Sequence, residues 1–95
     1  MKKSLTEKIT AYFRKKPVLK AYIFGSFARI EADENSDIDI MVELDYSQSI
    51  GLEFVEMQLD LEQILDRKVD LLSSNAISKY IRPFIDKDKI LIYEK

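Results

Sequence analysis

Ala21-Tyr22-Ile23-Phe24-Gly25-Ser26-Phe27-Ala28-Arg29, and then, with ten residues between Ser26 and Asp37, Asp37-Ile38-Asp39-Ile40-Met41-Val42, are the two stretches on which the rest of the chain depends. The second alternates: Ile38, Ile40 and Val42 point one way, Asp37, Asp39 and Met41 the other, the period-two pattern of a strand. Asp37 and Asp39 therefore share a face at the start of that strand, about 7 Å apart by strand rise. Two carboxylates so placed can bridge hard cations. In the first stretch a small pair, Gly25-Ser26, closes an apolar strand-like run and opens a segment that can turn helical. Glycine allows close backbone approach and N–H groups at a helix start favour anions, so this is a phosphate cradle. Carboxylates beside such a cradle point to chemistry on a nucleoside triphosphate.

The chain has 95 residues, enough for one domain (1–95) with a modest core. A net charge of -2, with 34% charged and 46% hydrophobic residues, carries no global basic bias, so nucleic acid is not the expected partner. No stretch is long enough to span a membrane, and Met1-Lys2-Lys3 leads into polar residues rather than a signal peptide, so the expected location is the cytoplasm. Cysteine and histidine are both absent. That removes disulfides, thiol nucleophiles, imidazole bases and ordinary zinc sites, and leaves oxygen-ligated magnesium or manganese as the candidate metals.

Outward from the two stretches, Ser4-Leu5-Thr6-Glu7 fits a capping box, with Leu5, Ile9, Tyr12 and Phe13 an apolar helical stripe that Pro17 terminates. The basic exposed surface of that helix reads as a solvated face more readily than as a nucleic-acid interface. Residues 18–24 form a first strand, 26–32 a short helix, 32–36 a polar loop and 37–44 the second strand. Ser49 is placed as the N-cap of a helix reaching Leu65, with Phe54, Met57, Leu61, Ile64 and Leu65 on the core face. Val55 and Leu59 widen the stripe beyond what one core face needs, which leaves room for a partner. A third strand spans 68–72. A third helix spans 76–87, kinked or restarted at Pro83, and an edge strand spans 90–93. The fold class is α/β (α+β): a small mixed sheet of about four strands with helices packed on it.

Asp70, between Val69 and Leu71-Leu72, is an acid with apolar strand neighbours, where an idle carboxylate is unwelcome. If its strand lies beside the second one, Asp70 completes a three-carboxylate cluster suited to two metal ions. Alone, it would read as an edge-strand acid facing water. In haloacid-dehalogenase-like phosphatases and many glycosyltransferases the Asp-x-Asp acids follow an apolar strand, whereas here they precede one.

Gly25-Ser26, ten intervening residues and Asp37-x-Asp39, with Gly51-Leu52, Arg67-Lys68-Val69-Asp70-Leu71 and Tyr80-Ile81-Arg82-Pro83 downstream, resemble the nucleotidyltransferase superfamily typified by DNA polymerase beta, and within it the minimal nucleotidyltransferase (MNT) domains. Ile30 departs from the pattern, since relatives often carry glycine there. The resemblance implies the nucleotidyltransferase fold and ATP as substrate. It implies that Asp37, Asp39 and Asp70 hold two Mg2+ ions, Mn2+ being possible, and that Gly25 and Ser26 grip the β- and γ-phosphates. Asp70 would also help activate an incoming hydroxyl. Arg29 would neutralise phosphate charge or pair with Glu31 or Asp33. Proteins resembling this chain are commonly antitoxins that move AMP onto a tyrosine of a HEPN ribonuclease toxin, so a HEPN-type toxin is the implied partner. Two alternatives stand beside it: a domain that neutralises its partner by contact alone, and nucleotide transfer to a small molecule such as an aminoglycoside.

Overall fold

The computed structural model describes residues 3–29 and 36–95. Four strands, β1 (Val18–Phe24), β2 (Ile38–Leu44), β3 (Val69–Ser73) and β4 (Ile90–Glu94), form one sheet in the order β3-β2-β1-β4. Three helices accompany them: α1 (Lys3–Phe13), α2 (Glu53–Leu65) and α3 (Arg82–Asp88). β1 pairs antiparallel with β2 and β4, and β2 pairs parallel with β3. Parallel neighbours need a crossover, and α2 supplies it. The mixed four-stranded sheet is the expected one, with β4 at an edge.

One face of the sheet is buried by α1 and α2. Ile9 and Phe13 from α1 and Met57, Leu61 and Leu65 from α2 join Ala21, Ile23, Ile38, Ile40, Val42, Val69 and Leu71 in a single core. Full burial of such side chains contributes about 1.5–3 kcal/mol each before chain entropy is set against it. The alternation expected in β2 holds, and Met41 on the opposite face is also buried, as is Ile85 of α3 outside the main core. The second face is therefore covered in part.

Element boundaries differ from expectation where side chains compete with helix formation. α1 begins at Lys3, so Ser4 lies inside it rather than capping it. It ends at Phe13, whose carbonyl accepts the Lys16 N–H (3.0 Å), and Pro17 begins the approach to β1. α2 starts at Glu53 with Leu52 in the cap position, not at Ser49. Asp45 holds the preceding segment in a turn, accepting the Ser47 N–H and the Gln48 side-chain amide (both 3.1 Å), and Gly51 then adopts φ +45°. Ile64, placed on the core face by its spacing, is exposed, as are Val55 and Leu59. The expected third helix is two pieces: a single 3-10 turn, Ser74–Ala76, and α3, with Pro83 in the first turn. Proline is tolerated there because the missing N–H has no helical partner, so Pro83 marks a restart and not a kink.

Candidate functional site

The site forms where β1 ends beside the start of β2. Phe24, the last residue of β1, pairs with Asp39, and Asp39 pairs on its other side with Asp70 of β3. The sheet thus sets Phe24, Asp39 and Asp70 in one row, and a shared register puts the two carboxylates on the same face. Asp70 was expected to complete a cluster only if its strand lay beside β2, and it does.

Gly25 follows with φ +73°. This left-handed backbone favours glycine, and a Cβ here would overlap Oδ2 of Asp39 and push that carboxylate aside. The Arg29 N–H then bonds the Gly25 carbonyl at 3.1 Å, closing one helical turn over residues 25–29. The expected helix over 26–32 is that single turn as far as Arg29; residues 30–35, including Ile30, Glu31 and Asp33, lie outside the described residues. Ser26 is half-buried beside the turn, and Phe27 drives into the core.

Asp39 is pushed up to about 6, first by burial, then by the charge of Asp70, a hydrogen bond to Asp70 and the charge of Asp37; Arg29 opposes the shift. A hydrogen bond between two carboxyl groups requires that one of them carry a proton. Asp37 is half-exposed and its Oδ2 lies 3.9 Å from Nζ of Lys68. Among the described residues no three acidic side chains already converge as an ion cage. The departure from the expected three-carboxylate cluster is local: Asp39 and Asp70 sit level on adjacent strands, while Asp37 is turned toward Lys68. Closely placed carboxylates whose mutual repulsion and burial raise Asp39 are an all-oxygen set that a hard divalent cation would relieve, so these residues fit such an ion.

Arg29 pairs with Asp88 of α3 (Nη1 to Oδ2, 2.7 Å), a partner that sequence reasoning missed because it lies 59 residues away. Arg67 and Lys68 were also given no role. Arg67 donates to the Ser36 carbonyl at 3.1 Å and stacks over the Phe27 ring at 5.0 Å, and the Lys68 carbonyl accepts the Ile38 N–H at 3.0 Å. Their position immediately before Val69-Asp70 was the available signal.

Comparison with known proteins gives this geometry a family. Residues 7–95 match the family described as polymerase beta, nucleotidyltransferase. MJ0435 of Methanocaldococcus jannaschii, provisionally named a protein adenylyltransferase, is 40% identical over 87 residues, covering 92% of this chain and 87% of the relative. Protein adenylyltransferase MntA of Thermococcus cleftensis is 33% identical over 70 residues, covering 74% of this chain and 70% of the relative. Among solved structures, a toxin–antitoxin with AMP-PNP has TM-score 0.81 at 24% identity, covering 95% of this chain and 73% of the other. The MNT antitoxin bound to the tri-AMPylated HEPN toxin of Shewanella oneidensis has TM-score 0.76 at 22% identity, covering 100% and 74%. These two share the fold. The chain belongs to the polymerase beta nucleotidyltransferase family and is an enzyme of that class, with protein adenylyltransferases among its relatives.

Proposed function

We propose that this chain is a metal-dependent protein adenylyltransferase that moves AMP from ATP to a tyrosine hydroxyl of a HEPN ribonuclease toxin and so acts as its antitoxin in the cytoplasm. The observation that carries the reading is the Asp39–Asp70 pair facing the Gly25 turn, where a Cβ on residue 25 would run into the Asp39 carboxylate. The curated relatives' names and the AMPylated HEPN complex support the reaction and the partner.

The backbone N–H groups of the Gly25-Ser26 turn and the Ser26 hydroxyl are the donors for the β- and γ-phosphates. Asp37, Asp39 and Asp70 would hold two Mg2+ ions, with Mn2+ able to replace them. When bound, such ions neutralise phosphate charge and lower the acceptor hydroxyl's pKa, which is why a chain without histidine suffices. Asp70 orients the acceptor hydroxyl and draws off its proton. The hydroxyl oxygen forms a bond to the α-phosphorus as the bond to pyrophosphate breaks. Arg29 adds positive charge beside the triphosphate and is itself held by Asp88.

A second reading, contact-only neutralisation, is favoured by one observation: Leu52, Val55 and Leu59 stand 78%, 55% and 56% exposed at helical spacing on and before α2. The test is incubation with Mg2+, ATP labelled at the α-phosphate and a HEPN partner, with the Asp37→Asn, Asp39→Asn double variant as control. Label on the toxin only with intact aspartates supports transfer. An unlabelled toxin in a tight complex supports contact alone.

A further inference from the structure

The two halves of the site, the turn that ends at Arg29 and the lead into β2 that is described from Ser36, are separated in sequence by residues 30–35, yet one side chain touches both. The Arg67 guanidinium lies 5.0 Å over the ring of Phe27, one residue past Ser26, and its Nη1 donates at 3.1 Å to the carbonyl of Ser36, one residue before Asp37. Phe27 is anchored in the core, so the stacked surface is fixed. The adjacent Lys68 extends the grip, its carbonyl accepting the Ile38 N–H (3.0 Å) and its ammonium facing Asp37 (3.9 Å). The far end of this segment is tied down too: Glu62 of α2 accepts the Val69 N–H at 3.1 Å, at the start of the strand that carries Asp70.

We propose that Arg67 is a positioning residue for nucleotidyl transfer, a clasp that sets the distance between the phosphate-binding turn and the aspartates at the start of β2. The role needs arginine. A planar guanidinium can lie flat on an aromatic ring while its edge N–H groups donate in the ring's plane, whereas a lysine ammonium is a point charge that cannot do both. A displacement of about 1 Å between groups that must meet one triphosphate is enough to cost on the order of a hundredfold in rate.

The inference rests on the adenylyltransferase reading, and its test separates the two. The dissociation constant of AMP-PNP with Mg2+ is measured by calorimetry for wild type, Arg67→Ala, Arg67→Lys and Tyr12→Phe, alongside their melting temperatures. Tyr12→Phe removes the hydrogen bond from Tyr12 to Asp60 (2.6 Å), remote from the site, and controls for lost stability. The expected result is binding about tenfold or more weaker in Arg67→Ala, partial recovery in Arg67→Lys, and wild-type binding in Tyr12→Phe. Wild-type affinity in Arg67→Ala, or equal losses in Arg67→Ala and Tyr12→Phe, overturns the positioning role alone. A wild-type protein that does not bind the analogue overturns the adenylyltransferase reading and this inference with it.

Discussion

Replacing Asp39 by asparagine should stabilise the metal-free protein at neutral pH while abolishing transfer. Asp39 is raised from 3.8 to about 6, chiefly by burial and by Asp70. The folded protein therefore holds a proton that the unfolded chain releases, and stability falls as pH rises from about 4 to about 6 and stays lower above that. A shift of that size corresponds to about 3 kcal/mol. Because the carboxylates are only partly buried, solvent screening reduces it, and about 1–1.5 kcal/mol is the expected effect. Asparagine keeps a hydrogen bond to Asp70, now donated by its amide, and never ionises. For a domain of this size the gain is about 5–10 °C in melting temperature. Thermal denaturation in EDTA should show Asp39→Asn melting above wild type at pH 8, with the difference shrinking as the pH falls from about 6 to about 4. Millimolar Mg2+ should then raise the wild-type melting temperature and leave the variant's in place. A variant that melts below wild type at pH 8 in EDTA, or a difference that does not change with pH, would refute the reasoning.

Two further outcomes are expected. Gly25→Ala combines a positive φ, costing about 1–2 kcal/mol, with overlap on Oδ2 of Asp39, so AMP transfer should fall at least about tenfold and the melting temperature by several degrees; unchanged kinetics would mean that the turn does not need the close approach. Ile85→Ala empties a buried position on α3, outside the main core, and should cost about 2–5 kcal/mol in chemical denaturation; a loss below about 0.5 kcal/mol would mean that α3 contributes little to packing.

Much of the fold and of the candidate site was legible because it depends on local periodicity. Alternation in residues 37–44 identified β2 and its buried face, since strand geometry sends alternate side chains to opposite sides, whereas Asp37 lies just before the paired strand. Helix boundaries were read less well, because Asp45 and Gly51 hold a turn where Ser49 alone suggested a cap. Exposure of Ile64 could not be read from spacing either, since a stripe wider than its partner surface leaves its margin in water.

The sequence by itself determined the residue types, the Gly25-Ser26 to Asp37-x-Asp39 spacing and the hard-oxygen character of any metal site. Only the tertiary structure decided that β3 runs parallel beside β2 with Asp70 level with Asp39, that Arg29 is held by Asp88 and that Arg67 bridges Phe27 and Ser36. The reason is physical: periodicity fixes which way a side chain points along its own strand or helix, whereas which strands lie side by side is set by crossover connections and core packing between residues distant in the chain.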